Sequence, residues 1–76
     1  MLPSQNRIWS VIMRTFSFYI HDRRYSVPTL QLVTVRDEDR ARELARQRLE
    51  ETEEHLAVEV TEGAVELFRV SREAAL

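Results

Sequence analysis

Residues 37 to 53, DEDRARELARQRLEETE, form a charged stretch with helical periodicity, set between two pairs of strand-like runs. FSFYI and LQLVTV precede it, and LAVEV and VELFRV follow it. A chain of 76 residues that spends its length this way has little left for a second layer or a long active-site loop. The ββαββ order predicts an α+β fold, a four-stranded, mainly antiparallel sheet with one helix packed on one face. Two hairpins about a helix can be joined in more than one strand order, so the order stays open at this point. A crossover between parallel strands is expected to be right-handed.

The helix has clear start signals. Asp37 is a good N-cap, and Glu38 and Asp39 put negative charge in the first turn, where the helix dipole favours it. Ala41, Leu44, Ala45, Leu49 and Thr52 fall on one narrow stripe, the width needed to lie across one face of a sheet. Glu38 and Arg42 have the favourable i,i+4 orientation; Arg46 and Glu50 have the reverse. Arg40, Arg42, Arg46 and Arg48 alternate with acids and read as a solvated, solubilising surface.

In the first strand, from about Ile12 to His21, a period of two puts Phe16, Phe18 and Ile20 on the core side and Thr15, Ser17, Tyr19 and His21 on the other. Asp22, Arg23 and Arg24 read as a polar turn, and Tyr25 opens the second strand. Pro28 lacks a backbone donor, which marks that strand as an edge or a bulge. Leu30 and Leu32 share one of its faces, and Val33 and Val35 the other. Leu56, Val58 and Val60 alternate in the third strand, Glu62 and Gly63 make a hairpin turn, and the last strand spans Ala64 to Val70. There Val65 and Leu67 take one parity, Phe68 and Val70 the other. The domain is read as residues 13–70. Residues 1–12 are an extension in which Trp9 tucks against a sheet edge, and residues 71–76 are a tail that frays.

One helix covers only one face of the sheet. The open face is expected to carry Thr15, Ser17, Tyr19, His21, Val33, Val35, Ala57, Phe68 and Val70, an apolar set for a surface in water. Tyr19, Val33, Val35, Phe68 and Val70 are therefore the candidate interface. A 76-residue domain buries only roughly 60% of the surface its unfolded chain exposes, and no disulfide reinforces it. Symmetric self-association is the expected remedy, and the expected partner is a second copy or an unidentified protein.

Other chemistries find little material. With 43% hydrophobic and 32% charged residues, the chain has the composition of a folded globule rather than of a disordered segment. Net charge is −2 and the pI about 5.6, so there is no general attraction to nucleic acid or anionic lipid. All eleven basic residues are arginine, the mark of a GC-rich codon bias. The absence of cysteine excludes disulfides, thiolate nucleophiles and cysteine-based zinc sites, and fits a reducing compartment. His21 beside Asp22, and His55 at the helix end, are the available acid–base groups, but no nucleophile or pocket-forming segment accompanies them. Neither an enzyme nor a cofactor is expected. Two histidines in separate elements do not make a metal-ligand spacing. His21, Arg23, Arg24 and Tyr25 are the candidate nucleic-acid contacts, since aromatics and arginines meet there at one end of the sheet. Glu59, Glu62 and Glu66 nearby oppose that use, and nucleic acid is not the expected partner. The apolar residues 8–13 are too few and too interrupted for a membrane span, so a cytoplasmic protein is expected.

FSFYIHD at 16 to 22, RARELARQRL at 40 to 49, LAVEV at 56 to 60 and LFRV at 67 to 70 together resemble a family of small alphaproteobacterial proteins that carry a domain of unknown function. The resemblance covers about residues 13–70. SVPTLQL stands where a glycine- or acid-rich stretch would be expected, and the N-terminal extension is a further departure. The resemblance implies a bacterial, cytoplasmic protein, and brings no activity and no site residues. A looser likeness, to antitoxin-type domains that set a helix on a short antiparallel sheet, implies regulatory partner binding as the alternative to self-assembly.

Overall fold

A computed structural model describes residues 12–72. The strands β1 (Arg14–Asp22) and β2 (Thr29–Val35) form a first hairpin, α1 (Glu38–Glu50) follows, and β3 (His55–Glu62) and β4 (Val65–Ser71) form a second hairpin. Neighbouring strands are antiparallel, in the order β2-β1-β3-β4. Because β2 and β3 both run antiparallel to β1, they are parallel to each other, and α1 is the crossover that carries the chain past β1. The α+β, ββαββ reading holds, and the strand order is now fixed. The expectations for residues 1–11, including Trp9, lie outside the described residues, as does most of the tail.

The core forms where the alternation of β1 meets the stripe of α1. Phe16, Phe18 and Ile20 are buried against Ala41, Ala45 and Leu49, with Val58, Val60 and Val70 from the second hairpin. Ala41 and Ala45 have no exposed surface, and their short side chains let the helix backbone come close to the sheet, most of all to β3. Asp37, in extended backbone, caps the helix by accepting the Arg40 N–H at 2.9 Å. Glu38 and Arg42 pair at 3.3 Å as their spacing predicts, whereas Arg46 and Glu50 form no ion pair.

Several boundaries differ from the sequence reading, each for a local reason. The helix stops at Glu50 rather than near residue 53, because residues 51–54 turn back: Glu54 donates its N–H to Thr52 Oγ1 at 3.2 Å. Asp22 closes β1 instead of entering the turn, and residues 23–28 make a loop, so that Tyr25 precedes the strand it was expected to open. Pro28 sits just outside β2, an edge strand, where its missing N–H is harmless. The second hairpin turns at Gly63 and Ala64, with Gly63 alone at positive φ (61°), the pattern of a type II′ turn.

The expected open face needs the larger correction. Phe16 lies opposite Val33 and Arg14 opposite Val35, which puts both valines on the helix side. Phe68 lies opposite Val60 and Val70 opposite Val58, again under the helix. Val33, Val35 and Phe68 pack against the core and Val70 belongs to it. The parity of β4 slips because the register shifts between Val60 and Thr61, leaving Leu67 without a partner, so that Leu67 and Phe68 both reach the core.

The C-terminal end of α1 is closed from a distance. His55 donates from Nδ1 to the Arg48 carbonyl at 2.6 Å. Arg72 donates to the carbonyls of Leu49 at 2.5 Å, Thr52 at 2.9 Å and His55 at 3.1 Å. These carbonyls are among those a helix end leaves without partners, and a guanidinium also suits the negative end of the dipole. Ser71 and Arg72, expected to fray, are the last strand residue and this clasp.

Two substitutions test this account. Phe18→Ala leaves a cavity under α1 and should lower the unfolding free energy by about 3–5 kcal/mol in urea, enough to unfold a domain near the low end of normal stability. Arg72→Ala should lower it by about 1–2 kcal/mol, with the sheet intact and the helical circular-dichroism signal melting earlier.

Candidate interaction surface

The face of the sheet opposite α1 has two unlike halves. On the β1–β2 half, Ser17 lies opposite Leu32, Tyr19 opposite Leu30, and the hydroxyls of Thr15 and Thr34 are 3.0 Å apart. Leu30 and Leu32 are 54% and 65% exposed, and no described element packs on them. On the β3–β4 half, Glu59 is held between His21 and Arg69. His21 donates from Nε2 to Glu59 Oε1 at 2.8 Å, and Arg69 donates to Oε2 at 2.9 Å. These two partners, His21 first, hold the Glu59 carboxyl below its ordinary range. The surface is thus apolar beside the β2 edge and charged beyond the sheet's centre.

One end of the sheet carries a second polar arrangement. Asp22 is only 6% exposed and is the one buried charged residue among those described. Its carboxylate accepts from the Arg24 backbone N–H at 2.8 Å, from Arg24 Nε at 2.9 Å and from Nη2 at 2.6 Å. Arg24 therefore turns back along the chain and lies over the Tyr25 ring. This grip pulls the Asp22 carboxyl down to about 2, and His55, whose Nε2 is 3.7 Å away, adds to it when protonated. Arg23 meets Glu54 at 3.5 Å and donates to the Glu53 carbonyl.

The residues singled out from the sequence are therefore dispersed. Tyr19 and His21 are on the open face; Val33, Val35, Phe68 and Val70 are beneath the helix. His21, Arg23 and Arg24, the candidate nucleic-acid contacts, each already hold a carboxylate, and Tyr25 is exposed under Arg24. His55 opens β3 rather than ending the helix, and His21 bonds Glu59 rather than its neighbour Asp22. The sequence reading missed Leu30 and Leu32 as the exposed apolar pair. Both parities of β2 carry two large apolar residues, so alternation alone is degenerate there; pairing with β1 decides it.

No group of three or more metal-ligating side chains occurs among the described residues. Two open surface hollows, one on the solvent side of α1 and one between Met13, Val35 and Arg40, contain neither histidine. No described helix is long and apolar enough to cross a membrane. No protein-family model, no curated protein and no solved structure matches the chain.

Asp22 yields a prediction about acid stability. A carboxyl whose folded-state pKa is depressed contributes stability that is complete above its unfolded value, 3.8, and is lost as pH falls toward about 2. Glu59 and Glu62, also lowered, the latter by Arg14, add to the same acid-side loss. The melting temperature should therefore fall between about pH 4 and pH 2, and Asp22→Asn should make that fall shallower while leaving the contribution of the two glutamates. A mutant curve as steep as the wild type would show that the Arg24 grip does not stabilise the fold.

Proposed function

We propose that this protein is a non-enzymatic interaction module that self-associates on the open face of its sheet, at the half next to β2. The observation that carries the reading is the pair Leu30 and Leu32, more than half exposed on neighbouring positions of one strand face beside Tyr19. Contiguous exposed apolar surface of this kind marks contact sites more often than solvated ones. A small core without disulfides gives such a contact a stabilising role as well, because association favours the folded state by mass action. The charged half of the face supports placing the contact off-centre. Covering Glu59 with its partners Arg69 and His21 would strip water from an ion pair and its hydrogen-bonded imidazole, and the attraction within the pair does not always repay that.

A bacterial, cytoplasmic setting accompanies this reading, supported by the cysteine-free, all-arginine composition. Regulatory binding of a different protein is the alternative. Nucleic-acid binding has the least support, because the arginines at the sheet end are engaged by their own carboxylates.

The test is the mass in solution by light scattering after gel filtration. The wild type should run above its chain mass of 9.0 kDa, and Leu32→Glu should return it to that mass with unchanged circular dichroism. A wild type already at 9.0 kDa at every concentration would direct attention to a heterologous partner.

A further inference from the structure

Resting on the reading that the chain self-associates, but moving the contact from the open face to the strand edge that borders Leu30 and Leu32, we propose that two copies join edge to edge through β2, in an antiparallel two-fold pairing centred on Leu32. Two four-stranded sheets become one continuous sheet. Among the described residues, the two outer strands of the sheet, β2 and β4, both leave backbone N–H and C=O groups without a strand partner on one side. They are guarded very differently. β4 carries Glu66 and Arg69 and is bulged at Leu67, three features that discourage a second strand. β2, TLQLVTV, has seven residues with no charge and no proline, and it pairs with β1 without a register shift. It is rich in β-branched and leucine side chains, and its outer side is a regular template.

The register follows from symmetry. A two-fold axis normal to the sheet maps each face onto itself, so paired residues must share a parity, and full overlap of β2 with itself centres on Leu32. Leu32 then meets Leu32 of the second copy, Leu30 meets Thr34, Gln31 meets Val33 and Thr29 meets Val35. No charges oppose one another, and Leu32, which water now touches, gains an apolar neighbour across the seam, with Leu30 diagonal to it. A slip by one residue would set Leu32 against a helix-side residue and break both faces at once. Stacking the two open faces, the other way to cover the leucines, would crowd the Glu59 triad; edge pairing leaves it in water.

The absence of cysteine makes the test direct. Leu32→Cys, Leu30→Cys and Tyr19→Cys are made singly in the full chain, oxidised mildly at a concentration where light scattering shows the dimer, and run on a non-reducing gel. Directly opposed residues of an antiparallel pair have Cα atoms about 4.5–5.5 Å apart, within disulfide reach, so Leu32→Cys should shift to the covalent dimer. Leu30→Cys should stay monomeric on the gel, because its own copy lies four residues along the seam, about 13 Å away at strand spacing. Tyr19→Cys, near the middle of the face, should also stay monomeric. A dimer by mass in which Leu30→Cys or Tyr19→Cys crosslinks instead, or Leu32→Cys does not, overturns the edge pairing while self-association stands. A wild type that is monomeric throughout overturns both.

Discussion

The burial of Phe16, Phe18 and Ile20 in one cluster with the alanines of α1 and the valines of β3 is the constraint on which the other elements depend. β1 lies inside the sheet, with β2 on one side and β3 on the other, so its apolar side chains lie under the path of the crossover helix. Ala41 and Ala45 supply close approach rather than bulk, and the bulk comes from the phenylalanines below. This division explains why a stripe that looks weak on the helix is sufficient. It also explains why the helix surface beyond it is free to carry alternating charges, which make short-range pairs such as Arg40 with Glu43 and Arg48 with Glu51. Such exposed pairs contribute at most a few tenths to about 1 kcal/mol each, so the fold rests on burial.

Arginine does more than keep this surface soluble. Arg42, expected to be a solvated helix residue, lies 4.1 Å over the Phe68 ring and shields an aromatic that would otherwise meet water. Arg48 donates to Gln31 at 2.8 Å and ties the helix to β2, and Arg14 holds Glu62 through two bonds across the sheet. The planar guanidinium, with its several donors and long apolar stem, performs in each place a task that a lysine would perform less well. No buried side-chain polar atom among the described residues lacks a partner, and arginines supply many of those partners.

What the sequence made legible follows from how local the signals are. Period-two alternation in β1, the Asp37 cap and the alanine stripe are each written within a few residues and found where expected, and the Gly63 turn falls one residue later, at Gly63 and Ala64 rather than Glu62 and Gly63. The strand order and the inward faces of β2 and β4 depend on pairing between distant segments. In β2 the two parities are equally apolar, and in β4 a bulge changes the parity midway, so the interface residues chosen from alternation alone fell on the wrong side. Of the candidate surface, Tyr19 was readable and Leu30 and Leu32 were visible as a pair; only the register with Tyr19 and Ser17 assigned them to the exposed side. The clasp by Arg72 had no sequence signal at all, since a lone arginine after a strand looks like any tail residue.

That clasp has a consequence for the order in which the chain can fold. The carbonyl of Leu49 receives its guanidinium from a residue 23 positions later, so the last turn of the helix is completed by a non-local contact. Before β4 has docked, that turn is open to water and free to unwind, and the first hairpin has only a loosely ended helix to cover Phe16 and Phe18. Closing the second hairpin thus sets the final strand and finishes the helix in one event, which couples the two halves into a single cooperative unit.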